Sequence, residues 1–397
     1  MREKKEKPGT WVWALALSLL LTGALVLRTD LMTPDHPDFP KPWDHHKYAW
    51  MAAGDPLDFH LAPFGWRVLV PLLAGSLPLA LPWSFLLIAC AATALTGTLV
   101  FLLAREMFAA SSFGFLGLLM YFSLGWAGRF ALYDFWLPDA LAFFFIALGI
   151  YALVTGRDAL FALALLLGVL TKESVLFIAP LSYTLRTSRL VDPGLFKRCV
   201  LLTLPAILML LSLRVLIPSM NDDPAYLRTL PETARIVQDG VSSYDYADLF
   251  VSIGLRRLRD LSVETLYSWT IGTFGALLLL PLFAWKRSGA LLLRFLPFLV
   301  LVYAQLLFSV NEERLLALAF PAVILMALAG VDALAAKLAI RPLWLAPVFF
   351  LFVGVDLAAE SFFSDSQLLV ELLVLLAGLS LCFNLKDRAS VPASGNS

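Results

Sequence analysis

Charge is scarce in this chain: only 15% of its 397 residues are Asp, Glu, Lys or Arg, while 60% are hydrophobic. Water-soluble proteins carry about 25% charged residues, so with a mean hydropathy of +0.81 a soluble domain of this length is excluded. The 30 basic and 30 acidic residues cancel, and no net charge points to nucleic acid or to an acidic partner. Cysteine is sparse too. Cys90, Cys199 and Cys382 each lie in or at the edge of an apolar run, which reads as packing filler rather than a disulfide framework. No internal repeat is visible, which weakens the case for an inverted-repeat transporter.

What is present is a series of apolar runs long enough to cross a bilayer, about 20 residues each. Trp11–Leu27 follows the basic tail MREKKEKPGT, and the bulky, acidic, proline-rich Arg28–Lys41 offers no small-residue cleavage site. The run therefore reads as a retained first span, with Arg2, Lys4, Lys5 and Lys7 holding the N-terminus in the cytoplasm. Further spans follow at Pro82–Ala104, Ala109–Gly128, Ala140–Val154, Val200–Ile217, Thr265–Trp285, Leu291–Val310, Leu315–Leu334, Leu343–Leu357 and Leu368–Asn384. Trp66–Leu81, broken by Pro71 and Pro78, reads as a helix at the outer interface.

Parity of crossings adds one unusual element. Ala159–Leu185 starts at Arg157 and ends at Arg186, both marked cytoplasmic, with TKES at its middle. One helix cannot begin and end on the same side, so two half-helices are expected to meet at Lys172 and Glu173 in the outer leaflet. Non-helical backbone at that depth is tolerated only where protein or a cavity surrounds it. The expectation is a single all-α integral-membrane domain over 1–397 with about 10–12 membrane segments. Tails at 1–10 and 386–397 are cytoplasmic, and loops at 29–81 and 218–264 lie on the outer face. Of the 30 Lys and Arg, 16 fall in the cytoplasmic pieces, as the bias of short loops requires. Arg256, Arg257 and Arg259 read as the basic face of an interfacial helix touching anionic headgroups.

Ionisable groups concentrate in the first outer loop. Pro40–Pro71 holds Asp44, His45, His46, Tyr48, His60 and Arg67. A second short loop, RFALYDFWLPD, holds Asp134 and Asp139, and NEER ends on Arg314.

The order WDHHKYAWMA, PFGWRVLVPLLA, YDFWLPDALAFFF, GVLTKESVLFIAP and NEERLLALAFPAVI resembles the GT-C superfamily of integral-membrane glycosyltransferases. The resemblance covers most of the chain to about Val323. It implies a polyprenyl-phosphate-linked sugar as donor, transfer at the outer face of the cell membrane, and an acceptor that is a glycan, lipid or protein. Relatives often carry two adjacent acidic residues in the first loop, and here the pair is Asp44-His45.

Displacing a polyprenyl phosphate from an anomeric carbon needs a base for the acceptor hydroxyl and cations for the departing phosphate. Asp44 is the catalytic candidate. Arg67, Lys172 and Arg314 are the phosphate-binding candidates, and Asp134, Asp139, Tyr48 and Glu173 those for substrate. Plainer readings stand beside these. Asp44 is placed to cap a helix, Asp139 to cap the helix that follows Pro138, and Lys172 with Glu173 to close the hairpin as a salt bridge. Glu312 and Glu313 read as solvated surface. His45 and His46, with Asp44 and Asp134, offer ligands to a divalent cation, although neighbours on a helix point to different sides and a structural role competes. Other classes stay open: a secondary transporter or flippase for an anionic or lipid-linked substrate, and a polysaccharide ligase or assembly factor.

Overall fold

A computed structural model describes residues 9–187, 189, 191–235, 254–308, 311–359, 362 and 365–390. The basic tail with Arg2, Lys4, Lys5 and Lys7, the SYDYADLF stretch at 243–250 and residues 391–397 lie outside the described residues. The chain is all-α, with no strand among the described residues. In hydrocarbon every backbone N–H and C=O must be satisfied within its own segment, which leaves apolar runs little choice but helix.

In chain order the helices are α1 (Thr10–Arg28), α2 (His45–Ala53), α3 (Leu69–Ser76), α4 (Leu81–Phe108), α5 (Ser111–Phe122), α6 (Arg129–Tyr133) and α7 (Asp139–Val154). There follow α8 (Asp158–Thr171), α9 (Leu181–Thr184), α10 (Pro193–Leu216), α11 (Pro224–Thr229), α12 (Glu232–Arg235), α13 (Gly254–Asp260), α14 (Val263–Phe274), α15 (Trp285–Ala304), α16 (Glu312–Leu316), α17 (Phe320–Leu338), α18 (Ala346–Ala358) and α19 (Asp365–Ser390). Five stretches are long and apolar enough to cross a membrane, and five shorter apolar helices accompany them. The stretch Val263–Phe308 breaks at Gly275, whose φ of 52° ends α14 and starts a 3-10 segment running to Ala284.

α4 packs against α1, α5 and α7, and α7 against α8. In the most apolar 18-residue window of Glu312–Leu338, 89% is buried, against 17% in that of α10, so α16 and α17 form the centre while α10 faces outward. This placement drives Arg314 into the protein.

The expected break within Ala159–Leu185 is present. α8 stops where Lys172 turns extended, with φ −161° and ψ 130°, and a 3-10 segment Glu173–Ile178 leads into α9. The chain also returns to its starting level, because Asp158 at the head of α8 binds both Arg186, beyond α9, and Arg198, early in α10. Arg287, in the first turn of α15, binds Asp332 on α17 and lies over the ring of Phe108 at the end of α4. The Trp66–Leu81 segment is shorter than expected, with only α3 helical beyond Trp66.

Candidate active site

Four separated segments converge: the loop into α2, the α6–α7 turn, the α8 break and α16. Pro138 opens α7 and puts Asp139 in its first turn, where the helix dipole favours an anion. Asp139 does not cap its helix. Its carboxylate, 1% exposed, accepts Lys172 Nζ on Oδ1 at 2.6 Å, and Arg314 Nε and Nη2 on Oδ2 at 3.0 and 2.6 Å. The break after α8 is what brings Lys172 here. An α-helix continued through this point would have sent the ammonium elsewhere.

The hairpin bridge expected between Lys172 and Glu173 does not form: Lys172 is extended while Glu173 opens the 3-10 segment, and each side chain finds a different partner. Glu173 instead pairs with Arg67, its Oε2 accepting Nε at 2.9 Å and its Oε1 accepting Nη2 at 2.5 Å. Arg67 Nη1 donates to the Tyr48 hydroxyl at 3.0 Å, and Tyr48 is wholly buried. Tyr48 therefore props an arginine.

Asp44 stands at the N-cap position of α2 without accepting a backbone N–H through its side chain. Its Oδ1 accepts Lys47 Nζ at 3.3 Å and its Oδ2 lies 3.6 Å from Arg314 Nη1. Burial disfavours its charge, and Lys47, Arg314 and Arg67 outweigh that, holding the carboxyl below its ordinary range. Lys47 was missed by the sequence reading. It is 0% exposed with Nζ 4.5 Å from the Phe64 ring centroid. Its spacing of three from Asp44 was the available signal, since such residues share a helix face.

Asp134 differs. Among the described residues its Oδ1 is buried without a hydrogen-bond partner. Burial, which Arg314 opposes and Asp44 and Asp139 reinforce, pushes its pKa up to about 8. At neutral pH it is a protonated acid beside ionised ones. The cluster then holds four cations, Lys47, Arg67, Lys172 and Arg314, and three anions, Asp44, Asp139 and Glu173, a surplus of one positive charge. Asp44 and Glu173 form its open rim, with side chains 25% and 31% exposed.

The histidines do not point apart. Their ring centroids lie 4.2 Å from each other, and Phe39 packs on both at 4.9 and 5.0 Å. His45 Nε2 bonds to the Phe39 carbonyl at 2.9 Å, and burial pushes the His45 pKa down to about 4. Among the described residues no three of His, Cys, Asp and Glu gather as a metal-ligand set. Glu312, expected to be solvated, accepts Arg257 Nη1 at 3.0 Å, which ties α13 to α16. Arg257 is thereby drawn off the interfacial face, on which Arg256 and Arg259 stay exposed.

The first outer loop is braced by the chain after α10. Asn221 exchanges hydrogen bonds with the Ala62 backbone at 2.9 and 3.2 Å, His60 N–H donates to Tyr226 at 2.7 Å, and Trp66 Nε1 to the Ile217 carbonyl at 3.0 Å.

No family model matches the chain, and no curated protein matches it. Among solved structures, the Archaeoglobus fulgidus oligosaccharyltransferase, tethered to an acceptor peptide containing the NVT sequon, is similar with a TM-score of 0.53 at 15% identity, over 98% of this chain and 56% of that one. The same protein in complex with Zn and sulfate gives 0.48 at 14% identity, over 97% and 54%. The chain thus spans about half the length of the structures it matches, and over that part it shares the fold of the oligosaccharyltransferase.

Proposed function

We propose that this GT-C-fold membrane protein is a glycosyltransferase that moves a sugar from a polyprenyl-phosphate carrier to an acceptor at the outer face of the membrane. One observation carries the reading: the cations Lys47, Arg67, Lys172 and Arg314 are packed with the carboxylates of Asp44, Asp139 and Glu173. Lys172 and Arg314 would repel one another in the absence of Asp139, which holds both by its two oxygens. A carboxylate that gathers two cations prepares them for a second anion. Lys172 has three donors and Arg314 five, and only some are taken by Asp139.

In the reaction the carrier's phosphate engages Arg314 and Lys172, with Lys47 behind. The bond between anomeric carbon and phosphate oxygen breaks, the acceptor oxygen bonds to that carbon, and Asp44 takes the acceptor's proton. Asp44 is a weak base in the resting site. Its proton affinity rises once phosphate neutralises Arg314 and Lys47, so base strength appears only after the donor binds. Arg67, satisfied by Glu173 and Tyr48, acts as a brace. Asp134, protonated, is a hydrogen-bond donor toward sugar or acceptor.

The test is release of polyprenyl phosphate when the purified protein is incubated with a lipid-linked sugar and candidate acceptors. Asp44→Asn should lower turnover by about 10²–10⁴ with donor binding kept, the range of general-base catalysis. Turnover unchanged in that variant removes Asp44 from the chemistry. Uptake of an intact lipid-linked substrate without release would make the protein a flippase.

A further inference from the structure

α13 stands at the level where the chain leaves the apolar layer. Two residues beyond it α14 opens the apolar stretch Val263–Phe308, and its inner side packs on the 3-10 turn Gln305–Phe308 that closes the same stretch. Both ends of that stretch thus meet at one short helix, GLRRLRD, which carries three arginines and one acid, Asp260.

The residues of α13 sort into pairs three apart, the spacing that shares a helix face. Gly254 and Arg257 turn inward. Gly254 is buried, and a Cβ there would stand 2.4 Å from the Phe308 ring, so the missing side chain lets the helix lie close on the turn. Arg257 Nη1 donates to the Leu306 carbonyl at 3.1 Å and to Glu312 Oε1 at 3.0 Å. One arginine therefore staples α13 both to the turn after α15 and to the start of α16. Leu255 and Leu258 turn outward, 60% and 55% exposed, with Arg256 and Arg259 exposed beside them. Val263 and Tyr267, one turn apart at the head of α14, are exposed as well. A bilayer surface satisfies this pattern: leucines enter the acyl boundary, a tyrosine sits at headgroup depth, and arginines reach the phosphates.

We propose that α13 docks on anionic phospholipid headgroups of the leaflet beside the candidate active site, and that this contact holds Arg314 in position. Charge complementarity selects the lipid. A zwitterionic headgroup offers Arg256 and Arg259 no net charge, whereas an anionic surface strengthens attachment by about five-fold per arginine. Glu312 and Arg314 share the five-residue helix α16, so fixing the first fixes the second, which binds Asp139 and faces Asp44. The lipid acts through Arg257 and Glu312 without entering the cluster, and the proposal stands whether or not the protein transfers sugar.

The test titrates the purified full chain in detergent with phosphatidylglycerol or, separately, phosphatidylcholine, reading bound lipid by native mass spectrometry and Tm by thermal unfolding. The expected result is that phosphatidylglycerol binds in preference and raises the Tm to a plateau. Arg256→Gln together with Arg259→Gln, expected to weaken attachment about 25-fold, should lose the bound lipid and the Tm rise together. Arg257→Gln should keep the bound lipid and lose the rise, since it cuts the staple and spares the outer face. A wild-type Tm equal in the two lipids overturns the proposal, and this arm does not depend on any variant folding. A phosphatidylglycerol response that survives the double substitution assigns the lipid to other basic residues and overturns it as well. Any other pattern for Arg257→Gln overturns the link to α16.

Discussion

Replacing Asp139 by Asn keeps the shape of the side chain and removes its charge. The carboxylate is 1% exposed and holds Lys172 and Arg314, themselves 2% and 6% exposed. An amide offers one acceptor oxygen, which satisfies one cation, and turns its NH₂ toward the other. Removing one partner of a buried ion pair costs about 3–5 kcal/mol, because the remaining charge stays in a low-dielectric site without compensation. At the unfolding entropy per residue typical of folded proteins, this chain shifts its Tm by about 1.2 °C per kcal/mol, so a fall of about 4–6 °C is expected. Tryptophan fluorescence during heating in detergent measures it, and the 11 Trp give ample signal. The control is Asp332→Asn, whose ion pair with Arg287 is 39% and 50% exposed and is worth about 0–1 kcal/mol. Asp139→Asn combined with Lys172→Met should recover part of the loss, since it removes the cation left unpaired. An Asp139→Asn Tm within that of the control refutes the buried pairing and the preorganisation drawn from it.

Arg314→Lys keeps the charge and forfeits the guanidinium fork. Loss of a charge-assisted hydrogen bond worth about 1.5–3 kcal/mol predicts about a 10–100-fold fall in turnover, and survival of turnover in both Arg314→Lys and Arg314→Gln would pass the phosphate role to Lys172. Lys47→Met removes the first of the cations that depress Asp44, so the acidic limb of the pH–rate profile should move to higher pH; an unmoved limb would separate Lys47 from Asp44. Asp134 binds its proton more tightly folded, with a pKa of about 8, than unfolded, at about 3.9. The folded state therefore loses stability as pH rises from about 4 to about 8, and Asp134→Asn should flatten that decline; a steeper decline in the variant would contradict the burial of an acid at this position.

Much of the site was legible because its residues are conspicuous against the apolar chain. The concentration of ionisable groups in Pro40–Pro71 and the TKES interruption both needed only one dimension to be seen. The partners were not legible. Local reasoning joined Lys172 to Glu173 and read Asp139 as a helix cap, whereas Lys172 reaches Asp139 across 33 residues and Arg314 reaches it across 175. Lys47 was overlooked for a similar reason: nothing in the sequence says that α2 turns this lysine inward against Phe64.

The sequence by itself determined that the chain is an all-α membrane protein, where most of its helices run, and that the Ala159–Leu185 segment breaks at Lys172. These properties follow from the length of apolar runs and from the cost of unsatisfied backbone in hydrocarbon, both of which are local. Tertiary structure decided which carboxylate each cation takes and that Asp134 is left without one. A buried charge couples to the opposite charge nearest in space through a low-dielectric medium, and in a bundle that nearness is set by which helices pack together.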